Sequence, residues 1–157
     1  MLEFGVRRGA SLAVLAAHAG QEVHGFDSFE GLPEGWGATH AGVLTTGGAL
    51  PEVGNNARLH PGWFEDTLPA FLETHSGPVR FANIDSDIYS SARTVLFGLA
   101  GRIGPGTVLV FDEFIGNRTW MDDEYRAFAE FAAAHGTSFQ VIAVNPACKQ
   151  VAVRIEA

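Results

Sequence analysis

Short runs of β-branched and aromatic residues alternate along this chain with stretches of helical periodicity, and that alternation predicts a parallel sheet covered by helices. Strands are expected at 2–6 (LEFGV), 22–26 (EVHGF), 57–60 (ARLH), 79–84 (VRFANI), 106–111 (GTVLVF), 138–144 (SFQVIAV) and 149–155 (KQVAVRI). Helices fit 10–19, 66–75, 88–101 and 122–135. In the last of these, Tyr125, Phe128, Ala129 and Ala132 recur at helical spacing, Gly136 marks the stop, and the acidic first turn suits the helix dipole. Only "NPAC" separates the final two strands, a connection that permits a hairpin and not a parallel crossover. The expected fold class is therefore α/β, a mostly parallel seven-stranded sheet with an antiparallel strand in its C-terminal hairpin. Residues 28–56 are rich in Gly, Pro, Thr and Glu without clear periodicity, and read as a functional lid or loop.

Composition narrows the field. The 157 residues suit one domain, 1–157, with 46% apolar and 18% charged residues, a globular balance. The longest apolar runs fall far short of the ~20 residues of a membrane span, and the N-terminus lacks the shape of a signal peptide. A soluble, cytoplasmic protein with no membrane partner is expected. A formal charge of −8 with only ten Lys and Arg argues against nucleic acid, whose binding rests on a basic surface. The single cysteine, Cys148, forms no internal disulfide and no cysteine cluster for zinc, so any metal must be held by oxygen or histidine. The chain opens directly on a strand, as a fragment or a minimal domain would.

In open α/β sheets ligands bind beyond the carboxyl ends of the strands, so each strand end is a candidate contributor. The first leads into "FGVRRGASL", where Gly5 and Gly9 bracket the turn and Ser11 can cap the helix that follows. This is not the GxGxxG of a dinucleotide site, and an ordinary tight turn is the rival reading. The second ends in "GFDSFEGLP", with Asp27 and Ser28 at its tip. An acidic residue there can accept hydrogen bonds from ribose hydroxyls, or simply form a turn with its serine neighbour. The third runs into "HPGWFEDTLP", where Gly62 permits close approach and Trp63 or Phe64 either stacks on an adenine or joins the core. The fourth ends in "NIDSDIYSS" and the fifth in "VLVFDEF". Neighbouring strand ends lie ~5 Å apart, so Asp85, Asp112 and Glu113 can converge. Three clustered carboxylates repel unless a cation sits between them, and an all-oxygen set suits Mg²⁺ or Ca²⁺ better than zinc. Asp87, with Ser86, reads instead as the cap of the next helix. Of the histidines, His18, His24, His75 and His135 belong to or flank packed elements, whereas His40 and His60 are expected beside the cleft.

Taken together, "LEFGVRRGASL", "VHGFDSFEGLPE", "GWFEDTLPAFL", "NIDSDIYSSARTVL", "PGTVLVFDEF" and "DDEYRAFAEF" resemble class I S-adenosylmethionine-dependent methyltransferases, most closely the macrocin O-methyltransferase type. Six motifs in order cover nearly the whole chain. The resemblance implies a Rossmann-like three-layer sandwich and methyl transfer from S-adenosylmethionine to a hydroxyl of a small molecule, a sugar or secondary metabolite. It also implies that Glu3, Gly5 and Gly9 flank the methionine part of the cofactor, with Ser11 nearby, that Asp27 with Ser28 holds the ribose, and that Gly62, Trp63 and Phe64 lie by the adenine. Asp85, Asp112 and Glu113 would bind Mg²⁺. Apart from the resemblance, Asp85, bordering the cofactor and nearest the expected reaction point, is the candidate catalytic base. The chain departs from the family at Glu113, where a second aspartate is common, and in beginning without the usual N-terminal helices. Two rival classes are a non-catalytic cofactor-binding or assembly module and a metal-dependent hydrolase, although the latter leaves Asp27 without a role. An exposed sheet edge offers a route to a homodimer.

Overall fold

A computed structural model describes residues 1–157. Seven strands form one sheet: β1 (Leu2–Phe4), β2 (Val23–Asp27), β3 (Ala57–Pro61), β4 (Phe81–Ile84), β5 (Val108–Phe111), β6 (Phe139–Asn145) and β7 (Gln150–Ile155). Four helices connect them: α1 (Ala10–His18), α2 (Phe64–Thr74), α3 (Tyr89–Gly98) and α4 (Glu124–His135). All eleven expected elements are present, and their boundaries move by a few residues only.

The spatial order is β3-β2-β1-β4-β5-β7-β6. The first five strands of that order are mutually parallel, and β7 runs antiparallel to both β5 and β6. The short turn forces this: a chain leaving β6 can only double back, so β7 wedges between β6 and β5. Strands β1 and β2 are buried on both faces, whereas β4 and β5 alternate buried with half-buried residues because α1 covers only the β1–β3 side of one face. The larger core, under α2, α3 and α4, is built on Phe4, Phe26, Ile84, Leu96, Leu109, Phe111 and Phe128. The smaller one, under α1, gathers Val6, Leu12, Val23 and Phe29. The edge strand β6 is exposed throughout, with Phe139, Val141, Ile142 and Val144 open to solvent. No helix is long and apolar enough to cross a membrane.

Three local expectations are corrected. The N-cap of α1 is Gly9 in the left-handed region, not Ser11, and it has no side-chain cap. The N-cap of α3 is Ile88, and neither Ser86 nor Asp87 caps it. In α4 the stop at Gly136 holds, with φ 62°, but its inward face is Glu124, Ala127, Phe128 and Phe131, while Tyr125 is exposed. The stripe is rotated because the residue driven inward at the first turn is a carboxylate, which finds partners at the strand ends.

Candidate functional site

The connections from β1 and β4 leave in opposite directions along the sheet, and the gap beyond their carboxyl ends is the crevice where open α/β folds bind ligands. A cleft of about 360 Å³ occupies that place. Gly5, Asp27, Ser28, Trp63, Phe64, Asp85, Asp112 and Glu113 all line it, so five separate strand ends deliver the expected residues to one cavity.

Gly5 fixes the centre of the cleft. At φ 94°, a Cβ at this position would stand 1.8 Å from the Asp85 carbonyl oxygen. The Asp85 N–H donates to Phe4 O at 2.8 Å, so the first turn and the β4 end are joined as closely as backbones allow. Asp27 is more heavily engaged than a pure ligand contact requires. Its Oδ2 accepts the N–H groups of Val6 and Arg7 at 2.8 and 2.7 Å, and its Oδ1 accepts that of Phe29 at 2.7 Å. Asp27 therefore braces the glycine turn and closes an Asx-turn while still lining the cleft. Ser28 joins the same turn, accepting from Glu30 N–H and donating to Gly31 O. Trp63 precedes α2 and faces the cavity, whereas Phe64 also meets Phe4 edge-on at 5.4 Å.

Glu3, Gly9, Ser11 and Gly62 do not line the cleft. Gly9 and Gly62 shape its approaches: both take positive φ, and a Cβ would reach Pro51 Cβ at 3.0 Å and Thr67 Cγ2 at 2.9 Å respectively. Glu3 is fully buried; its Oε1 accepts from Asn83 Nδ2 at 3.0 Å, but Oε2 has no partner. Burial holds its pKa above the usual carboxylate range, and the nearby Ser11 hydroxyl moderates this without completing a hydrogen bond of ordinary geometry. An orphaned carboxylate oxygen beneath the glycine turn is the acceptor that a cofactor's amino group would satisfy.

Six carboxylates line the cleft, those of Asp27, Glu65, Asp85, Asp87, Asp112 and Glu113, against one guanidinium, Arg7. The field suits a positively charged ligand, and the pKa values register it. Burial, then Asp112, Asp87, Glu124 and Glu3, push Asp85 up to about 8. Burial, then Glu113, Asp112 and Asp123, push Asp87 up to about 6, with Arg7 opposing. Asp87 holds φ 61° and lies among the acidic group, so it belongs to the site and not to the helix cap assigned from sequence. The uncompensated oxygen donors fit a hard divalent cation. They are not preassembled around one point, however: the trio of ligating side chains whose donor atoms all lie within 4.8 Å of one another is Glu22, His24 and His75, elsewhere in the fold. Glu113, with its longer arm, reaches Lys149 Nζ on the β6–β7 turn at 3.1 Å and accepts from Asn117 Nδ2 at 3.0 Å. Asp112 accepts from Gln150 Nε2.

Several residues of the site gave no signal in the sequence. Glu124 is fully buried and accepts Ser86 N–H, Ser86 Oγ–H and Glu113 N–H. Burial outweighs these bonds and lifts its pKa to about 8. The loop of residues 28–56 does act as a wall, since Gly31, Leu32, Pro33, Trp36 and Leu44 line the cleft. Trp36 Nε1 donates to Asp123 Oδ2 at 3.1 Å, tying the loop to the start of α4. No histidine lines the cavity. His60, expected beside it, instead turns under α2, with Nε2 3.1 Å from His24 Nδ1 and its ring stacked on Phe26. The strand alternation that points Phe26 to that face carries His60 with it.

The model of the family described as a methyltransferase domain matches residues 2–114. An 8-demethyl-8-(2,3-dimethoxy-α-L-rhamnosyl)-tetracenomycin-C 4′-O-methyltransferase of Streptomyces olivaceus is 33% identical, the match covering 73% of this chain and 52% of that protein. The chain thus spans about half the length of the curated relative it matches. Among solved structures, the calicheamicin methyltransferase CalS11 superposes with TM-score 0.77 at 23% identity, covering 98% of this chain and 71% of its own. The O-methyltransferase NovP gives 0.73 at 22% identity, covering 100% and 72%.

Proposed function

Because the chain belongs to the methyltransferase domain family, we propose that its cleft binds S-adenosylmethionine and transfers the methyl group to a hydroxyl of a small molecule, a sugar of a secondary metabolite. The observation that carries this reading is the acidic cleft at the switch point, where Gly5, Asp27, Trp63 and Asp85 converge and where the Glu3 carboxylate has an unsatisfied oxygen beneath. A sulfonium cofactor is a cation with an amino group, a ribose and an adenine, and those residue types answer each part. The tetracenomycin relative, an O-methyltransferase for a rhamnosyl compound, supports the substrate class.

When bound, S-adenosylmethionine supplies a methyl group on a positively charged sulfur. Its sulfonium would give up that methyl to the substrate oxygen and keep the electron pair of the broken C–S bond as a neutral thioether. The chain's part is position and proton. Asp27 fixes the glycine turn, Trp63 and the Trp36 loop exclude water, and Asp85 accepts the hydroxyl proton. Without a cation beside it, burial and the neighbouring carboxylates hold Asp85 protonated near neutral pH; a bound cation would offset that charge and leave the carboxylate ionised to accept the proton. Asp85, Asp112 and Glu113 would hold Mg²⁺, with Asp87 lining the same cleft and Lys149 the group displaced from Glu113. When bound, the ion lowers the pKa of a coordinated hydroxyl and orients it.

Calorimetry with S-adenosylmethionine, with and without Mg²⁺, tests the reading directly. Binding tightened by Mg²⁺ is expected, and no heat at millimolar cofactor would sink the proposal. Asp85→Asn should retain the cofactor and lose methyl transfer by ~10²-fold or more. Unchanged turnover in that variant would remove Asp85 as the base.

A further inference from the structure

At the opposite end of the sheet from the cleft, Glu22 and His24 stand at the start of β2, and His75 closes α2. Their donor atoms lie within 4.8 Å of one another. We propose that these three side chains form a binding site for a divalent transition-metal ion of Zn²⁺ character, distinct from the acidic cleft and placed to staple α2 to the sheet.

The geometry supports this at each ligand. Glu22 Oε2 lies 3.5 Å from His24 Nε2, close to the ~3.3 Å edge of a tetrahedron built on metal–ligand bonds of ~2.0–2.1 Å. The other Glu22 oxygen is held by Arg58 Nε at 3.0 Å, which fixes the carboxylate and leaves Oε2 to ligate. His75 Nδ1 is 3.0 Å from Phe71 O, so it donates to that carbonyl and Nε2 is the nitrogen left free. His24 Nδ1 meets His60 Nε2 at 3.1 Å, a contact satisfied when His24 donates and again frees its own Nε2. Metal-binding histidines are held in this way, with the second ring nitrogen donating to a protein acceptor that sets tautomer and orientation. The rings are further locked in an aromatic stack: His75 lies 4.0 Å from Phe71, and Phe71 meets Phe26 edge-on.

Donor chemistry selects the ion. Two imidazoles and one carboxylate suit Zn²⁺ and its neighbours, whereas Mg²⁺ and Ca²⁺ require an oxygen shell. The Met1 terminus, Arg80 and Arg102 line the same recess, so retention of an ion there rests on its bonds to the three ligands and not on the surrounding field. A recess of about 410 Å³ opens beside the trio and leaves the fourth position to water. His75 and Glu22 are exposed, so the ion reaches the site from solvent without local unfolding.

The test is titration of the whole protein with Zn²⁺, and with Co²⁺ as a visible reporter, in millimolar Mg²⁺ to occupy oxygen-only sites. One equivalent is expected to bind, to give the intense d–d bands of a tetrahedral N₂O-type Co²⁺ site and to raise Tm. His75→Gln and Glu22→Gln alter exposed side chains and should fold normally, yet weaken binding by more than about tenfold and abolish the bands. His60→Phe, which removes only the acceptor behind His24, should weaken binding about tenfold. Absence of binding by the unaltered protein, or undiminished affinity in His75→Gln, would overturn the site. Neither result bears on cofactor binding in the acidic cleft, which the calorimetry above reads separately.

Discussion

Glu124 accepts both the backbone N–H and the hydroxyl of Ser86, at 2.9 and 3.2 Å, from a fully buried position on the first turn of α4. With a third bond from Glu113 N–H at 3.2 Å, this carboxylate joins the ends of β4 and β5 and so sets the spacing of Asp85 and Asp112. Glu124→Ala would leave two N–H groups and a hydroxyl unsatisfied in the interior, a loss of about 3 kcal/mol or more. Chemical denaturation would measure it.

The same carboxylate makes stability depend on pH. Glu124 and Asp85 have folded-state pKa values raised to about 8 from 4.5 and 3.8. The folded state therefore holds these protons more tightly than the unfolded chain. Their contribution is complete below the unfolded values and is lost as pH rises toward 8. His24 works in the opposite sense: burial and then His60 push it down to about 4 from 6.5, so its contribution is present above 6.5 and is lost as pH falls toward 4. Above neutrality the two carboxylates dominate, opposed in part by the Met1 ammonium, whose pKa burial lowers from 8.0 and whose contribution therefore grows as pH rises. Tm should fall by several degrees between about pH 7 and pH 8.5 in the absence of divalent cations. Glu124→Gln should flatten that fall, and saturating Mg²⁺ should remove the share due to Asp85, both read by circular dichroism melts.

Gly5→Ala tests the closest approach in the molecule. Its Cβ would collide with the Asp85 carbonyl at 1.8 Å, and φ 94° is hostile to any side chain. Backbone, not a flexible side chain, is in the way, so the β1 and β4 ends must separate. A loss on the order of 3 kcal/mol or more is expected, with cofactor binding gone even where the chain still folds.

Lys149→Met should strengthen Mg²⁺ binding. The Lys149 ammonium lies 3.1 Å from Glu113 Oε2 and competes with a cation for that carboxylate. Its removal adds one negative charge to the cleft and frees Glu113, while Met keeps the aliphatic stem. A gain of severalfold in Mg²⁺ affinity is expected from calorimetry, and unchanged affinity would exclude Glu113 as a ligand.

Trp36→Phe keeps the aromatic wall but deletes the bond to Asp123. The loop of residues 28–56 should then be cleaved faster by protease within its exposed positions, and KM for the acceptor should rise more than kcat falls. Loss of one hydrogen bond of this kind costs about 1 kcal/mol, so global Tm should change little.

Patterning along the chain carried the architecture. Every strand and helix was legible from periodicity, and the antiparallel strand followed from a four-residue connection that no crossover can use. The convergence of Gly5, Asp27, Trp63, Asp85, Asp112 and Glu113 was legible too, because a parallel sheet delivers every strand's carboxyl end to one side. These features are local or topological, and local sequence specifies them.

Charge, burial and side-chain direction were decided only in three dimensions. Asp87 read as a cap because its neighbours in sequence are a serine and a helix, yet its backbone at φ 61° turns it into the acidic cleft. Glu124 read as a helix-dipole acid, yet strand ends some 11 and 38 residues away in sequence supply its hydrogen bonds. Asp27 read as a ribose acceptor, and folding adds three backbone donors from two turns. His60 read as a neighbour of the cleft, and strand register sends it to a histidine cluster at the far side. For Glu124 and His60, and for two of the three donors to Asp27, the deciding partner is distant in sequence. A side chain's own neighbours fix its secondary structure, but its ionisation and its chemistry are set by whatever the tertiary fold places against it.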